Sequence, residues 1–233
     1  MKHLAFKFGW FARLLLTAVF VGGGGMAYGT LYTWAGGSGY WTNGNWGQGS
    51  SYPGNNDEVE IGSGSVLLDG STATLLALTM NGGTLTFTNW NTRLTAMSVI
   101  INSGATVTHG ANSDTNGTDD WLPDARIWFK CDSLFVAVGG AINADDKGYM
   151  GLAGPAGGLG PGKGGASYAF GAGHGGRGSG EGLLGGLTYG SVSAPEDPGS
   201  SGSSAGGGVI RIDATNVTVN GIISASSTAY GGD

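Results

Sequence analysis

The chain has one cysteine, six prolines and only 11% charged residues in 233 positions. A lone Cys131 excludes an internal disulfide, so stability must come from burial and backbone hydrogen bonding. With no second cysteine or histidine near it in sequence, Cys131 reads as a small buried apolar residue rather than a nucleophile or metal ligand. Helical periodicity is missing too. Past residue 30 no segment repeats its apolar residues every 3.6 positions, and the fifty glycines each disfavour a helix by about 1 kcal/mol relative to alanine. Long apolar runs are absent beyond the N-terminus, which excludes a later membrane-spanning helix. The expected class is all-β with loops.

What is present begins with an export signal. Lys2, Lys7 and Arg13 flank an apolar core from Leu14 to Val21, and Ala27-Tyr28-Gly29 offers small residues before a cleavage point at Thr30. That core is shorter than the ~20 residues that cross a bilayer. Residues 1–29 are expected to be a signal peptide, the alternatives being an uncleaved anchor or a buried helix. The remainder is then secreted or at the cell surface, with no transmembrane span after cleavage. Three of the ten bases lie in the signal, leaving seven against sixteen acids, a net charge of −9. Such a chain is a poor partner for nucleic acid or acidic lipid. Its bases are scattered singly, with Arg93, Arg126, Lys130 and Arg211 isolated in sequence.

The chain also contains an internal repeat. Residues 125–151 match 206–232 at an offset of 81, with identities that include Val136/Val217, Val138/Val219, Gly140/Gly221 and Ile142/Ile223. The matched apolar positions recur every second residue, as in strands. Phe129 and Cys131 align with Ile210 and Ile212 and are expected to face inward; Lys130 aligns with Arg211 and is expected to face outward. A shorter repeat, LTMNGGTLTF and VIINSGATVT, recurs after 21 residues, from Leu78 to Val99. In it Leu76, Leu78 and Met80 alternate, as do Met97, Val99 and Ile101, each set followed by an Asn-Gly or Asn-Ser-Gly turn suited to positive φ. Short strands at this spacing predict a parallel, right-handed β-helix or solenoid with a long Gly-rich loop insertion. A sandwich of antiparallel hairpins is the structural rival. The expected divisions are a Trp/Gly-rich cap over 30–61, β-helix coils over 62–147, a Gly-rich insert over 148–208 and a return coil over 209–233. The last coil stops without a cap, so the chain is expected to be the N-terminal part of a longer one.

The cap carries W-x-G-G-x-G-x-W-x(4)-N-W and then P-x(3)-D-x-V-x-I, through Trp34, Gly36, Gly37, Gly39, Trp41, Asn45, Trp46, Pro53, Asp57, Val59 and Ile61. This pattern resembles the N-terminal segment of large secreted bacterial β-helix proteins, including autotransporter-like and adhesin-like surface proteins. Residues 148–232, with G-P-G-K-G-G, G-A-G-H-G-G-R-G and a return strand, resemble a glycine-rich segment of large extracellular β-solenoid proteins. Both resemblances imply architecture and surface location, and neither names a reaction.

Three sets of residues carry candidate chemistry. Trp34, Trp41 and Trp46 either cover the open first coil or form an aromatic platform for sugar rings. Asp114, Asn116, Thr118 and Asp120 place oxygens at alternate positions of a loop, as calcium ligands or as a solvated acidic turn; the loop lacks the bidentate Glu of a calcium-binding hand. His174, Arg177 and Glu181 could bind an anion or move a proton, or simply hydrogen-bond the Gly-rich loop. No nucleophile–base pair or clustered carboxylates stand out, so a catalytic residue is not assigned. Calcium is the one cofactor considered. The expected function is a non-catalytic structural or adhesive β-solenoid, whose partners are extracellular polysaccharide or other cell-surface components. The alternative is a carbohydrate-binding or polysaccharide-active module.

Overall fold

In a computed structural model, the described residues are 29–43, 45–49, 51–113, 121–150, 157–165, 171–180, 185–191, 193–202 and 204–227. The expected signal peptide therefore lies outside them, apart from Gly29. The described residues hold twelve strands: β1 Leu31–Thr33, β2 Ser38–Tyr40, β3 Glu58–Ile61, β4 Ser65–Leu68, β5 Thr74–Met80, β6 Gly83–Phe87, β7 Leu94–Ile101, β8 Ala105–His109, β9 Ile127–Val136, β10 Ala141–Asn143, β11 Ile210–Val219 and β12 Ile222–Ser224. A single 3-10 turn, Trp41–Asn43, is the one helical element among the described residues. No described helix is long and apolar enough to cross a membrane.

The strands form two six-stranded sheets, one in the order β1-β3-β5-β7-β9-β11 and the other β12-β10-β8-β6-β4-β2. Each strand pairs with the one two places on, never with its neighbour in sequence. Every pairing between these strands is parallel. Hairpins would pair neighbours antiparallel, so the sandwich alternative is not what the chain adopts.

The strands form where apolar residues alternate, and their inward rows fill one core. Val59, Leu78, Val99 and Leu134 lie side by side in the first sheet, and Val66, Leu85 and Val107 in the second; all are at most 2% exposed. Phe87 and Phe129 meet edge to face across the interior at 5.6 Å. Between β5 and β6 the chain turns at Gly83, with φ +72°, where a side chain would meet the Gly64 carbonyl oxygen at 2.7 Å. Asparagines stack at that corner: Asn102 Nδ2 donates to Asn81 Oδ1 at 2.8 Å, and Asn81 Nδ2 to Glu60 Oε1 at 2.7 Å.

Two readings of the sequence, one of alternation and one of register, are corrected. Leu76 and Met97 point outward, 37% and 48% exposed, while Leu75 and Ala96 are buried. In β5, β7 and β9 the inward positions step by three instead of two: Leu75 to Leu78, Ala96 to Val99, Cys131 to Leu134. Leu76 and Met97 fall in the gap of the register, where the strands bend together. Strict alternation cannot survive a bend, so of the alternating residues Leu78, Met80, Val99 and Ile101, beyond it, are buried and Leu76 and Met97 are not.

The second correction concerns the long repeat. Its offset is 81 between β10 and β12, where Ile142 pairs with Ile223. Between β9 and β11 it is 83: Ile127 pairs with Ile210, Phe129 with Ile212 and Lys130 with Asp213. The turn before β12 is two residues shorter than the turn before β10, which absorbs the difference. A slip of two keeps each side chain on its face. Phe129 and Cys131 are therefore buried and Lys130 exposed, as expected.

Within 148–208 the described residues form no strand, yet their backbones hydrogen-bond to one another: Tyr149 N to Gly199 O at 2.9 Å, Gly178 N to Gly186 O at 2.9 Å, Gly173 N to Gly162 O at 2.8 Å. A Cβ on Gly178 would lie 1.9 Å from the Gly171 carbonyl oxygen, so only glycine permits this approach.

Truncating Phe87 to alanine is expected to destabilise the chain by about 3–5 kcal/mol. Trimming Val138, 74% exposed at a turn, should leave stability within about 0.5 kcal/mol. Urea titrations of both variants check this, and equal losses would contradict the core described.

Candidate functional site

The three cap tryptophans are brought together, but as core. Gly36 and Gly37, both at positive φ, turn the chain so that Trp34 bridges back to Trp46. The Trp46 ring meets Trp34 at 4.9 Å and Trp41 at 4.8 Å, both edge to face, and its Nε1 donates to the Trp41 carbonyl at 2.8 Å. Trp34, Trp41 and Trp46 are only 2–3% exposed. Buried rings offer no face to a pyranose, so the sugar-platform reading of these residues is corrected: they pack against the first strands.

Asp114, Asn116, Thr118 and Asp120 lie outside the described residues. The base of their loop is described. Asn112, fully buried, accepts from Asp124 N at 2.6 Å and Ala125 N at 3.1 Å and donates to Lys147 O at 2.8 Å. Asn112 thus closes the loop where β8 leaves and β9 begins. Among the described residues no group of three or more His, Cys, Asp or Glu could hold a metal ion.

Of the third set, Glu181 lies outside the described residues. His174 packs edge to face on Tyr189 at 4.6 Å, and its Nε2 faces the Asp197 carbonyl at 3.2 Å. Arg177 is exposed nearby on the same loop.

Cys131 is 7% exposed, and burial pushes its thiol up to about 11. So high a value keeps it protonated and a poor nucleophile.

The cluster that sequence reasoning missed is cationic and aromatic. Arg126, at the return from the loop, lies with its guanidinium 4.5 Å from the Trp90 ring centre and 4.5 Å from that of Trp128. Arg211 lies 4.6 Å and Arg93 5.2 Å from the same Trp128 ring. Such contacts are worth about 0.5–2 kcal/mol each, more where water is excluded. Arg126 Nε donates to the Trp90 carbonyl at 2.9 Å. Arg93 Nε donates to Thr95 Oγ1 at 3.2 Å. Arg211 pairs with Glu196 at 3.2 Å and Asp213 at 3.1 Å, and Asp213 also accepts from Trp128 Nε1 at 2.8 Å. That last bond, with Arg211 beside it, holds the Asp213 carboxyl below its ordinary value. Burial, with Arg211 as a second cation close by, lowers Arg126. The offset of 81 hides this cluster because it sets Arg211 against Lys130. The observed register sets Arg211 beside Trp128 and Lys130 beside Asp213, avoiding two cations face to face. Charge pairing across candidate registers was the signal that could have found it.

His109 ends β8 and is 1% exposed. Its Nδ1 faces the Gly110 carbonyl at 2.6 Å, and its Nε2 accepts from Val209 N at 3.1 Å. An acceptor Nε2 requires the neutral ring. The imidazole thus fastens the end of the glycine-rich segment to β8, a hundred residues away in sequence.

The molecule is thus an all-β protein of two parallel sheets with a basic, aromatic cluster on one of them. Residues 45–118 match the G8 domain family, found in extracellular proteins; the match spans β3 to β8 and stops short of β9 to β12 and the glycine-rich segment. No curated protein and no solved structure matches the chain.

Burial lowers His109 from its ordinary 6.5 to about 4. The unfolded chain therefore takes up this proton first as pH falls. The contribution of neutral His109 is complete above pH 6.5, shrinks as pH drops toward 4 and is gone below it, a loss of about 3 kcal/mol. Denaturation at pH 7 and pH 4 is expected to show that loss in the native chain and much less in His109→Gln. Equal losses in both would assign the titration to another group.

Proposed function

We propose that the chain is a parallel β-helix unit of a secreted or cell-surface protein, acting by contact rather than by turnover as a structural or adhesive element. The observation that carries this reading is the stacking of similar strands in two parallel sheets over one apolar interior. Coils joined this way make a stiff stem that tolerates loops at its corners. The G8 match supports an extracellular setting, and the signal-like N-terminus supports secretion. Kinship with bacterial autotransporter-like or adhesin-like proteins belongs to the same proposal and rests on the cap pattern. Calcium binding by the 114–120 loop remains compatible with it.

A carbohydrate-contacting surface is the second reading. What favours it is the Arg–Trp cluster on the outward face of the first sheet, not the cap tryptophans.

Incubating the purified chain with a panel of neutral and acidic polysaccharides should release no new chain ends. Reproducible cleavage by the native chain, absent from a point variant of the same stability, would overturn the contact-only reading. Adding EDTA during thermal melting tests calcium: a drop in Tm restored by Ca²⁺ is expected if the loop is a ligand, and an unchanged Tm removes it. Trp46→Ala should lower stability by about 3–5 kcal/mol, measured by urea titration; unchanged stability with lost saccharide binding would restore the sugar-platform role.

A further inference from the structure

The geometry points to an oxyanion-binding site on the outer face of the first sheet, formed by Arg93, Arg126 and Lys130 around Trp128 and taking the carboxylate or sulfate groups of an acidic polysaccharide. This deepens the contact reading above and rests on it.

The unexplained group is Arg126. It is 6% exposed, and a cation so buried ordinarily has a carboxylate of its own. Here Nε bonds a backbone carbonyl, and the guanidinium carbon lies 4.5 Å from the centre of each of two indole rings. The terminal Nη1 and Nη2 have no protein acceptor among the described residues, yet they are not sealed from solvent. The nearest acids, Glu196 and Asp213, both bond Arg211 instead. A guanidinium held between a backbone carbonyl and two indoles, with its terminal donors unused, is pre-organised for two parallel bonds to an oxyanion.

Its surroundings fit a polymer that is anionic and rich in hydroxyls. Arg93 also has its terminal nitrogens unpaired among the described residues, and it leans on Thr95. Thr95 and Lys130 lead into an open groove of about 470 Å³ at the bend of the long strands, lined further by Thr74, Met97, Asp213 and Thr215. Thr74, Thr95, Lys130 and Asp213 are register partners in successive strands. The groove therefore runs across the strands, offering a new row of polar side chains every ~4.8 Å. Four cations (Arg93, Arg126, Lys130, Arg211) stand against three carboxylates (Glu196, Asp213 and Asp132 in the groove). The patch is cationic on a chain whose net charge is −6. Diffuse attraction to the whole surface cannot account for anion binding, so any such binding must be local.

Binding of the full chain to polygalacturonate (carboxylate), dextran sulfate (sulfate) and neutral dextran tests the proposal, by titration at low salt and at about 0.15 M ionic strength. At least one anionic polymer is expected to bind and neutral dextran not to; which anionic polymer binds distinguishes carboxylate from sulfate. Arg93→Gln combined with Lys130→Gln should weaken binding at least about tenfold while lowering Tm by no more than a few degrees, since Arg93 gives up one cation–aromatic contact and one hydrogen bond. Arg126→Lys, which keeps the charge but loses the planar fork, should also weaken it. Arg177→Gln, on the glycine-rich segment and not one of the residues assigned to the site, should bind like the native chain. The Arg93/Lys130 variant keeps the test valid if Arg126→Lys folds poorly. Failure of both anionic polymers to bind, equal binding of neutral dextran, or equal weakening by Arg177→Gln would each overturn the site. None of these results bears on turnover, so the site can fail while the non-catalytic solenoid reading stands. Cleavage of a bound polymer would overturn that reading and leave the site in place.

Discussion

Parallel pairing between strands two apart in sequence is the constraint on which the rest of the structure depends. A strand that pairs this way must leave its sheet, cross to the other and return one place further along. Each passage needs an apolar residue wherever the chain faces in and a tight corner wherever it changes sheet. The rows Val59–Leu78–Val99–Leu134 and Val66–Leu85–Val107 meet the first need. Gly64, Gly83, Gly104 and Gly139, all at positive φ, meet the second. The ladder fixes position along the stack but leaves the length of a corner free. From β7 to β9 the partner lies 35 residues on, at Val99 and Leu134, and from β9 to β11 it lies 83 on. The entropic cost of closing a loop rises only as the logarithm of its length, about 0.6 kcal/mol per doubling. Long insertions are therefore compatible with an undisturbed ladder, provided that their ends are fastened.

Two buried polar side chains do that fastening. Asn112 closes the base of the first insertion with bonds to Asp124, Ala125 and Lys147. His109 accepts from Val209 at the end of the second. Both lie just where β8 gives way to the first loop, so one corner secures both excursions. The cost of burying an imidazole is offset by its two bonds only while the ring is neutral. The second insertion has a different internal logic. Its backbones approach so closely that a Cβ on Gly158 would lie 1.7 Å from the Ser201 carbonyl oxygen. The glycines there serve contact rather than flexibility.

Strand content, turn glycines and the buried faces beyond the bend were legible in the sequence, because period-two alternation and Asn-Gly punctuation are local signals. The bend was not. Leu76 and Met97 continue the alternation of their strands on paper, and only the skipped pairing beside Leu75 and Ala96 shows that they turn outward. Nor was the register of β11 legible from periodicity, since slips of 81 and 83 bury the same faces. The aromatic cap was half legible. The sequence placed Trp34, Trp41 and Trp46 at one end of the chain, but whether a ring covers a core or meets a ligand depends on what lies above it, which spacing cannot say.

The same limit explains why the basic cluster was invisible. Arg93, Arg126 and Arg211 are far apart in the chain, and no motif links them. In the fold they are linked by position: Arg93 immediately precedes β7, Arg126 immediately precedes β9, and Arg211 is the second residue of β11. Each therefore sits where the chain enters the first sheet, and two of the three mark the return from an insertion. Residues at that edge are stacked by the ladder itself, because strands in register bring their starting ends together. Trp128, between Arg126 and Lys130 on β9, supplies the surface on which they converge. A stacked fold thus gathers side chains that sequence separates by any distance, and it does so most readily at strand ends, where loops of different length rejoin a common register. The cationic patch at the Trp128 edge is a consequence of the pairing that builds the core: the register of β11 that sets Ile212 beside Phe129 also sets Arg211 beside Trp128, and an offset of 81 would set Arg211 against Lys130 instead.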